Sequence, residues 1–265
     1  MVDTVRVSFD GLSDELVDLL GRLAGPDAVR FRGYAARLAP DEPVLIDEST
    51  AAEAVRPYSW LLDRLGTDGV RLTSAGYLPP VVVAEAVTAL GWRERWIGAA
   101  NREYHTTPLL ELRESARRFG LVRRHRGVLA PTKLGRALLA DPLSLWWHVA
   151  ERLPDARSEA EADAGLLLLV ILVSGTPVDT TMLDRLLCRG MAALGWHVAR
   201  TGEPLDDWQA FTAARNTWTA LCRLGALPAV DWNAPTAPAT PAGIQLARAA
   251  LLRPNRRTMA ASCDE

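Results

Sequence analysis

Apolar residues recur three and four positions apart along most of this chain, which is the spacing of one helix face. After Ser13, a helix N-cap, Leu16, Leu19, Leu20 and Leu23 line up, and Gly25-Pro26 ends the run. Residues 28–38 form a second helical stretch that stops before Pro40. Residues 51–65 read as a helix interrupted at Pro57. The next helix, 81–90, opens on Pro79-Pro80, where a missing N–H costs little. Leu109, Leu112, Ala116 and Phe119 then make the stripe of a helix capped by Thr106 or Thr107, with Pro108 in its first turn and Gly120 as its stop. Thr132 caps residues 133–139, and Asp141 caps a helix carrying Leu145, Trp146, Val149 and Leu153. Residues 164–174 are apolar on all sides, which predicts a helix with no solvent face. Further helices are expected over 180–194, 205–224 and, after Thr240-Pro241, 242–252.

Strand signals are few and short. Residues 5–9 alternate, and Val70-Arg71-Leu72 reads as a short strand. Leu121-Val122 and Val128-Leu129 flank a turn at His125-Arg126-Gly127, which reads as a hairpin. Residues 41–49 are acidic and proline-bearing, so they read as a linker or surface loop, and 253–265 as a frayed tail. The expected fold class is mainly α with short β-hairpins.

Landmarks recur in one order at nearly constant spacing. AVTALGW at 86–92 answers GMAALGW at 190–196, RRFGLV at 117–122 answers CRLGAL at 222–227, and TKLGRALL at 132–139 answers TPAGIQLA at 240–247. A partial third copy is suggested by residues 61–78, which run helix, glycine, strand, Thr73-x-x-Gly76. Such a duplication implies that each unit packs its own core and that the copies can diverge in use.

Charge separates the copies. Net charge is −2, so attraction to a polyanion must come from a local patch. Around the first hairpin stand Arg113, Arg117, Arg118, Arg123, Arg124, Arg126, Lys133 and Arg136, against the carboxylate of Glu114. The second copy has Pro228, Asp231, Trp232 and Pro235 in the matching place, with no basic side chain. Lys133 is the only lysine, and the arginine fork suits phosphate. Alanine, glycine and proline are also abundant, however, as GC-rich coding would give. On α-helical spacing, Glu114 and Arg118 form an ordinary i,i+4 pair.

The helix ending in Gly-Leu-Val, the Arg-rich hairpin and the following Thr-x-x-Gly-x-x-Leu resemble the winged-helix superfamily of transcription regulators. The chain also resembles an uncharacterised region of high-GC bacterial proteins, sometimes attached to a plasmid ORF-3-like domain. The residues that carry this likeness are LTSAGYLPP at 72–80, ANRE at 100–103, LWWHVAERLP at 145–154 and DAGLLLL at 163–169. The winged-helix resemblance implies tandem winged-helix-like repeats, with 109–119 as recognition helix and 123–127 as wing. In that arrangement Arg113, Arg117 and Arg118 reach bases or phosphates, and Arg123, Arg124 and Arg126 hold phosphates.

The expected organisation is a small N-terminal module at 1–50, a repeat with the basic hairpin at 51–154, a second repeat at 155–252 and the tail. The expected function is DNA-binding or transcription-regulatory, with double-stranded DNA as partner and with Lys133 and Arg136 completing the nucleic-acid site. The alternative is a protein-interaction scaffold that displays the repeats to a protein partner. An enzyme is not expected, and neither is a cofactor or a metal. His105, His125, His148 and His197 are scattered without metal-ligand spacing, and no nucleophile motif or glycine-rich phosphate loop is present. Most of the nine tryptophans read as packing. Cys188, Cys222 and Cys263 lie far apart, and no apolar run approaches the ~20 residues of a membrane span, so the expected location is the cytoplasm.

Overall fold

The computed structural model describes residues 4–7, 9–93, 101–176, 179–227 and 239–254. Helices dominate them, with small antiparallel sheets between. The chain divides into two compact units, Ala51–Val149 and the pair of segments Met1–Thr50 and Ala150–Glu265.

The discontinuous unit contains strands β1 (Thr4–Val7) and β2 (Phe9–Leu12), helices α1 (Asp14–Arg22) and α2 (Gly25–Ala35), and strand β3 (Val44–Asp47). Its central element is a helix with no polar stripe, Glu159–Val173, whose residues from Asp163 onward are all buried. Four other helices wrap it: α2 and, from the C-terminal half, Thr180–Ala193, Asp207–Arg223 and Pro241–Leu251. The first fifty residues are therefore part of this body rather than a module of their own. One reason is Arg248, buried on the last of those helices. Its guanidinium donates to the carbonyls of Leu38, Ala39, Glu42 and Pro43, and so fastens the loop before β3. Residues 41–49 are then no linker. They hold β3, which pairs with β1 in the register Val5 opposite Ile46, and Asp47, whose carboxylate accepts the Thr50 N–H and begins the next helix. Residues 252–254 pair with β2 instead of fraying, and 255–265 lie outside the described residues.

The continuous unit runs α3 (Glu48–Leu65, entered from the other unit), β4 (Val70–Arg71), α4 (Pro80–Ala89), α5 (Thr107–Arg118), β5 (Val122–His125), β6 (Val128–Pro131), α6 (Lys133–Leu139) and α7 (Pro142–Ala150). With this order fixed, the later helices are α8 (Glu159–Val173), α9 (Thr180–Ala193), α10 (Asp207–Arg223) and α11 (Pro241–Leu251), and the last strand is β7 (Leu252–Pro254).

Helix α3 passes through Pro57 without stopping. An interior proline costs ~3 kcal/mol, but burial of Val55, Tyr58, Leu61, Leu62 and Leu65 on one face outweighs that. Tyr58 meets Phe119 at 5.8 Å between ring centroids. Its hydroxyl donates to Ser115 Oγ at 3.1 Å, since the serine proton is used on the Leu112 carbonyl. At the far end of α5, His148 Nε2 donates to the Phe119 carbonyl at 2.7 Å, so α7 closes a group that the helix end leaves open. Trp146 is buried and packs edge-to-face on Trp147.

The caps at Ser13, Thr132, Asp141 and Thr240 form as the sequence implies. Thr106 is different: its hydroxyl donates back to the Arg102 carbonyl and caps nothing. Thr73 also caps no helix. It turns the chain between β4 and α4, with Gly76 N donating to Thr73 O at 2.8 Å, so the Thr73–Gly76 landmark is a turn rather than a further copy of the helix start.

Candidate nucleic-acid interface

Strands β5 and β6 form the expected hairpin. Its two-residue turn is Arg126-Gly127, with φ of 47° and 78°. Both values lie in the left-handed region, as a type I′ turn requires, and glycine takes the second without strain. Strand β4 joins from the other side, giving the sheet order β4-β6-β5.

The register decides where each cation goes. Arg124 is opposite Leu129, which is buried, so both belong to the inner face. There the Arg124 guanidinium lies over Gly76, where an added Cβ would stand 3.1 Å from Nη1. His125 is opposite Val128, and Val128 is opposite Arg71. Residues directly opposite share a face, and Arg123 sits two residues from His125 on the same side. The outer face of the sheet thus carries Arg71, Arg123 and His125, all exposed, with Arg126 at the tip. Two strand spacings put the Arg71 and His125 backbones roughly 10 Å apart. Lys133 is exposed at the start of α6, and the exposed Arg136 returns one N–H to the Pro131 carbonyl at 3.0 Å. Among the described residues, Arg71, Arg123, Arg124, Arg126 and Lys133 have no carboxylate partner.

The arginines of α5 have a different fate. Arg113 is 8 % exposed. Its guanidinium sits 3.1 Å from Glu103 Oε2, donates to the Gly76 carbonyl at 3.0 Å and reaches Glu114 at 3.4 Å. The expectation that Arg113 meets bases or phosphates is corrected: it neutralises a buried carboxylate. Glu103 is fully buried in a short 3₁₀ turn before α5 and accepts the Leu78 N–H at 2.6 Å. Burial pushes the Glu103 carboxyl above its ordinary value, while the Leu78 amide and Arg113 pull it back. Arg117 is exposed but pairs with Glu114 at 3.2 Å, and Arg118 is half-buried. The exposed or half-buried residues of α5 after Pro108 are therefore Leu110, Glu111, Glu114, Arg117 and Arg118. Glu114 takes up charge from both Arg113 and Arg117, so the helix offers phosphate little unmatched positive charge from those two residues.

Sequence reasoning missed Arg71, because nothing local says that a two-residue strand will pair beside the hairpin. It also missed Tyr77 and Tyr104, whose rings meet 6.0 Å apart; Tyr77 follows Gly76, the residue over which the Arg124 guanidinium lies. Residues 228–238, which answer the hairpin in the sequence landmarks, lie outside the described residues. Among the described residues no group of His, Cys, Asp and Glu could hold a metal ion, and no helix is long and apolar enough to cross a membrane. No protein-family model, curated protein or solved structure matches this chain.

Proposed function

We propose that this chain is a nucleic-acid-binding regulator whose Ala51–Val149 unit is a winged helix that grips the phosphate backbone with its wing. The element order helix, strand, helix, helix, hairpin, with β4 closing the sheet next to β6, supports that reading. One observation carries it: Arg71, Arg123 and Arg126 are exposed and have no carboxylate partner among the described residues, while Arg113 and Arg117 of α5 are matched to carboxylates. Phosphate contacts position a protein without reading sequence, so binding led by this face is weakly sequence-selective. On this reading residues 155–252 are a divergent copy, whose sequence between Leu227 and Thr240 carries no basic side chain.

The experiment is a salt titration of duplex DNA binding. Each phosphate neutralised by an arginine adds about 0.9 to the logarithmic salt slope. Arg123→Ala is expected to lower the slope by ~0.9 and leave the fold intact, as one lost phosphate contact requires. An unchanged slope sinks the assignment.

A second reading has its own support. The apolar and acidic side of α5, with Leu110 beside Glu111 and Glu114, suits a protein surface better than a polyanion. A scaffold of that kind binds no duplex with a steep salt dependence, so the same titration separates the two.

A further inference from the structure

Tyr104 is 63 % exposed, which is unusual for a ring of its size held on a rigid turn. The turn is fixed from beneath. Glu103 is buried under it against Leu78 and Arg113, His105 N donates to the Arg102 carbonyl, and Thr106 N donates to the Glu103 carbonyl. The backbone is therefore held while the ring stands in water. Its two aromatic neighbours meet it edge-on. Tyr77 lies at 6.0 Å and 66°, and His105 at 5.3 Å and 73°. No ring is stacked parallel on Tyr104 among the described residues, so the ledge has no flat partner.

Cations border this ledge. Tyr77 follows Gly76, and Gly76 is the residue over which the Arg124 guanidinium lies. Arg102, two residues before Tyr104, is exposed. Glu103, the residue before Tyr104, is withdrawn into the interior and already matched by Arg113. The surface is thus aromatic in the middle and positive at its border. That combination fits one class of ligand well: a flat, uncharged ring joined to a phosphate.

We infer that the Tyr77–Tyr104–His105 ledge takes an unpaired nucleobase, stacked on Tyr104, with Arg124 holding the adjoining phosphate. The inference rests on the reading that the wing binds the nucleic-acid backbone, and it narrows the ligand to one with a single-stranded stretch beside the duplex or in place of it. Base–aromatic stacking tolerates any base, because every base has a π face. The site therefore adds affinity for unpaired strands without sequence preference.

The test compares an oligothymidylate, the same length of abasic sugar-phosphate chain and a blunt duplex, each titrated by fluorescence anisotropy at fixed salt. Tyr104→Ala is expected to weaken oligothymidylate binding about tenfold, in line with the loss of one stacked base, and to leave the blunt duplex and the abasic chain unchanged. Tyr104→Phe is expected to bind as the parent does. The thermal midpoint of each variant reports folding, and an exposed ring should not move it. If the parent binds the duplex with a steep salt slope but Tyr104→Ala leaves oligothymidylate binding untouched, the ledge is refuted and the wing stands. Equal losses on all three probes also overturn it, since those losses do not depend on a base. If the parent binds none of the probes, the backbone reading fails first and takes this one with it.

Discussion

The chain builds the same joint twice, once in each unit, and only one of them carries a basic ribbon. In the Ala51–Val149 unit, Gly120 N donates to Arg117 O at 3.1 Å and Leu121 N to Ala116 O at 2.9 Å, which ends α5. Thr132 then donates its hydroxyl to Gly120 O at 2.7 Å and its N–H to Leu121 O at 2.9 Å, while accepting the Gly135 N–H at 2.9 Å. In the other unit, Gly225 and Ala226 end α10 with bonds of 3.2 and 3.0 Å to Cys222 O and Leu221 O. Thr240 donates to Gly225 O at 2.9 Å and to Ala226 O at 3.1 Å, and accepts Gly243 N at 2.9 Å. Each bond in one joint has its partner in the other. What lies between the two halves of each joint differs: arginines in one, and in the other a proline-rich sequence without a basic side chain. The joint is therefore a folding device that works with either filling. Arg123, Arg124 and Arg126 are not needed to make it, which leaves them available for a ligand.

The widest expected effect breaks the symmetry of the units. Arg113 on α5 corresponds in the landmark alignment to Trp218 on α10, which packs on Phe211 at 5.7 Å and neutralises nothing. Arg113→Met should cost roughly 3–5 kcal/mol, because it leaves Glu103 buried without its counter-charge. The pH dependence has a definite sign. Glu103 has a folded-state pKa above its ordinary 4.5, and loss of Arg113 raises it further. The folded state then holds the proton more tightly than the unfolded chain, so stability falls as pH climbs from about 4.5 through the folded value. The deficit of Arg113→Met should be largest at neutral pH and shrink on acidification. Urea melts of variant and parent at the two pH values measure it, and a deficit that grows in acid contradicts the burial argument.

Next come the glycines that seat each joint. An added Cβ at Gly135 would stand 2.1 Å from Leu121 O, and at Gly243 2.1 Å from Ala226 O. Backbone oxygen cannot yield as a side-chain tip can, so Gly135→Ala and Gly243→Ala should each cost about 3 kcal/mol or more. Equal losses sharpen the likeness of the joints. A benign Gly243→Ala breaks it.

The hydroxyls are worth less. Thr132→Val and Thr240→Val keep the shape and remove one accepted and one donated hydrogen bond, for about 1 kcal/mol each in chemical unfolding. A hydroxyl needed in only one unit would mark that joint as the one that bears strain from its filling.

Much of this was legible in local chemistry. The Thr-x-x-Gly starts, Asp141 and Ser13 each act through neighbours within four residues, which spacing exposes, and α8 shows itself in the apolar run of residues 164–173. The hairpin was legible because Arg126-Gly127 marks its turn. Arg113 was misplaced for a tertiary reason. Its partner Glu103 sits ten residues upstream in a 3₁₀ turn that no periodicity signals, and a helix wheel cannot show that a carboxylate is waiting inside. Residues 41–49 were misplaced because β3 gains its stability from β1 and from Arg248, both remote in sequence. Arg71 was invisible as a site residue for the same cause: its place beside His125 comes from sheet pairing across Val128.

The smallest effect on stability is the sharpest test of where binding lies. Arg71 is exposed, has no carboxylate partner among the described residues and ends a two-residue strand whose bonds are backbone. Arg71→Ala should change stability by no more than about 0.5 kcal/mol, as surface substitutions do. Yet if the outer face of the β4-β6-β5 sheet lies on phosphate, the same change should lower the duplex salt slope by ~0.9, like Arg123→Ala. Arg185 is the matching control, an exposed arginine on α9 of the other unit, and Arg185→Ala should leave the slope alone. A slope that responds to Arg185 as strongly as to Arg71 means that the protein's overall arginine content, rather than one sheet face, attracts the polyanion. A slope that responds to Arg123 but not to Arg71 confines contact to the hairpin tip and takes β4 out of the interface. A response to both places one flat, positive face against the backbone.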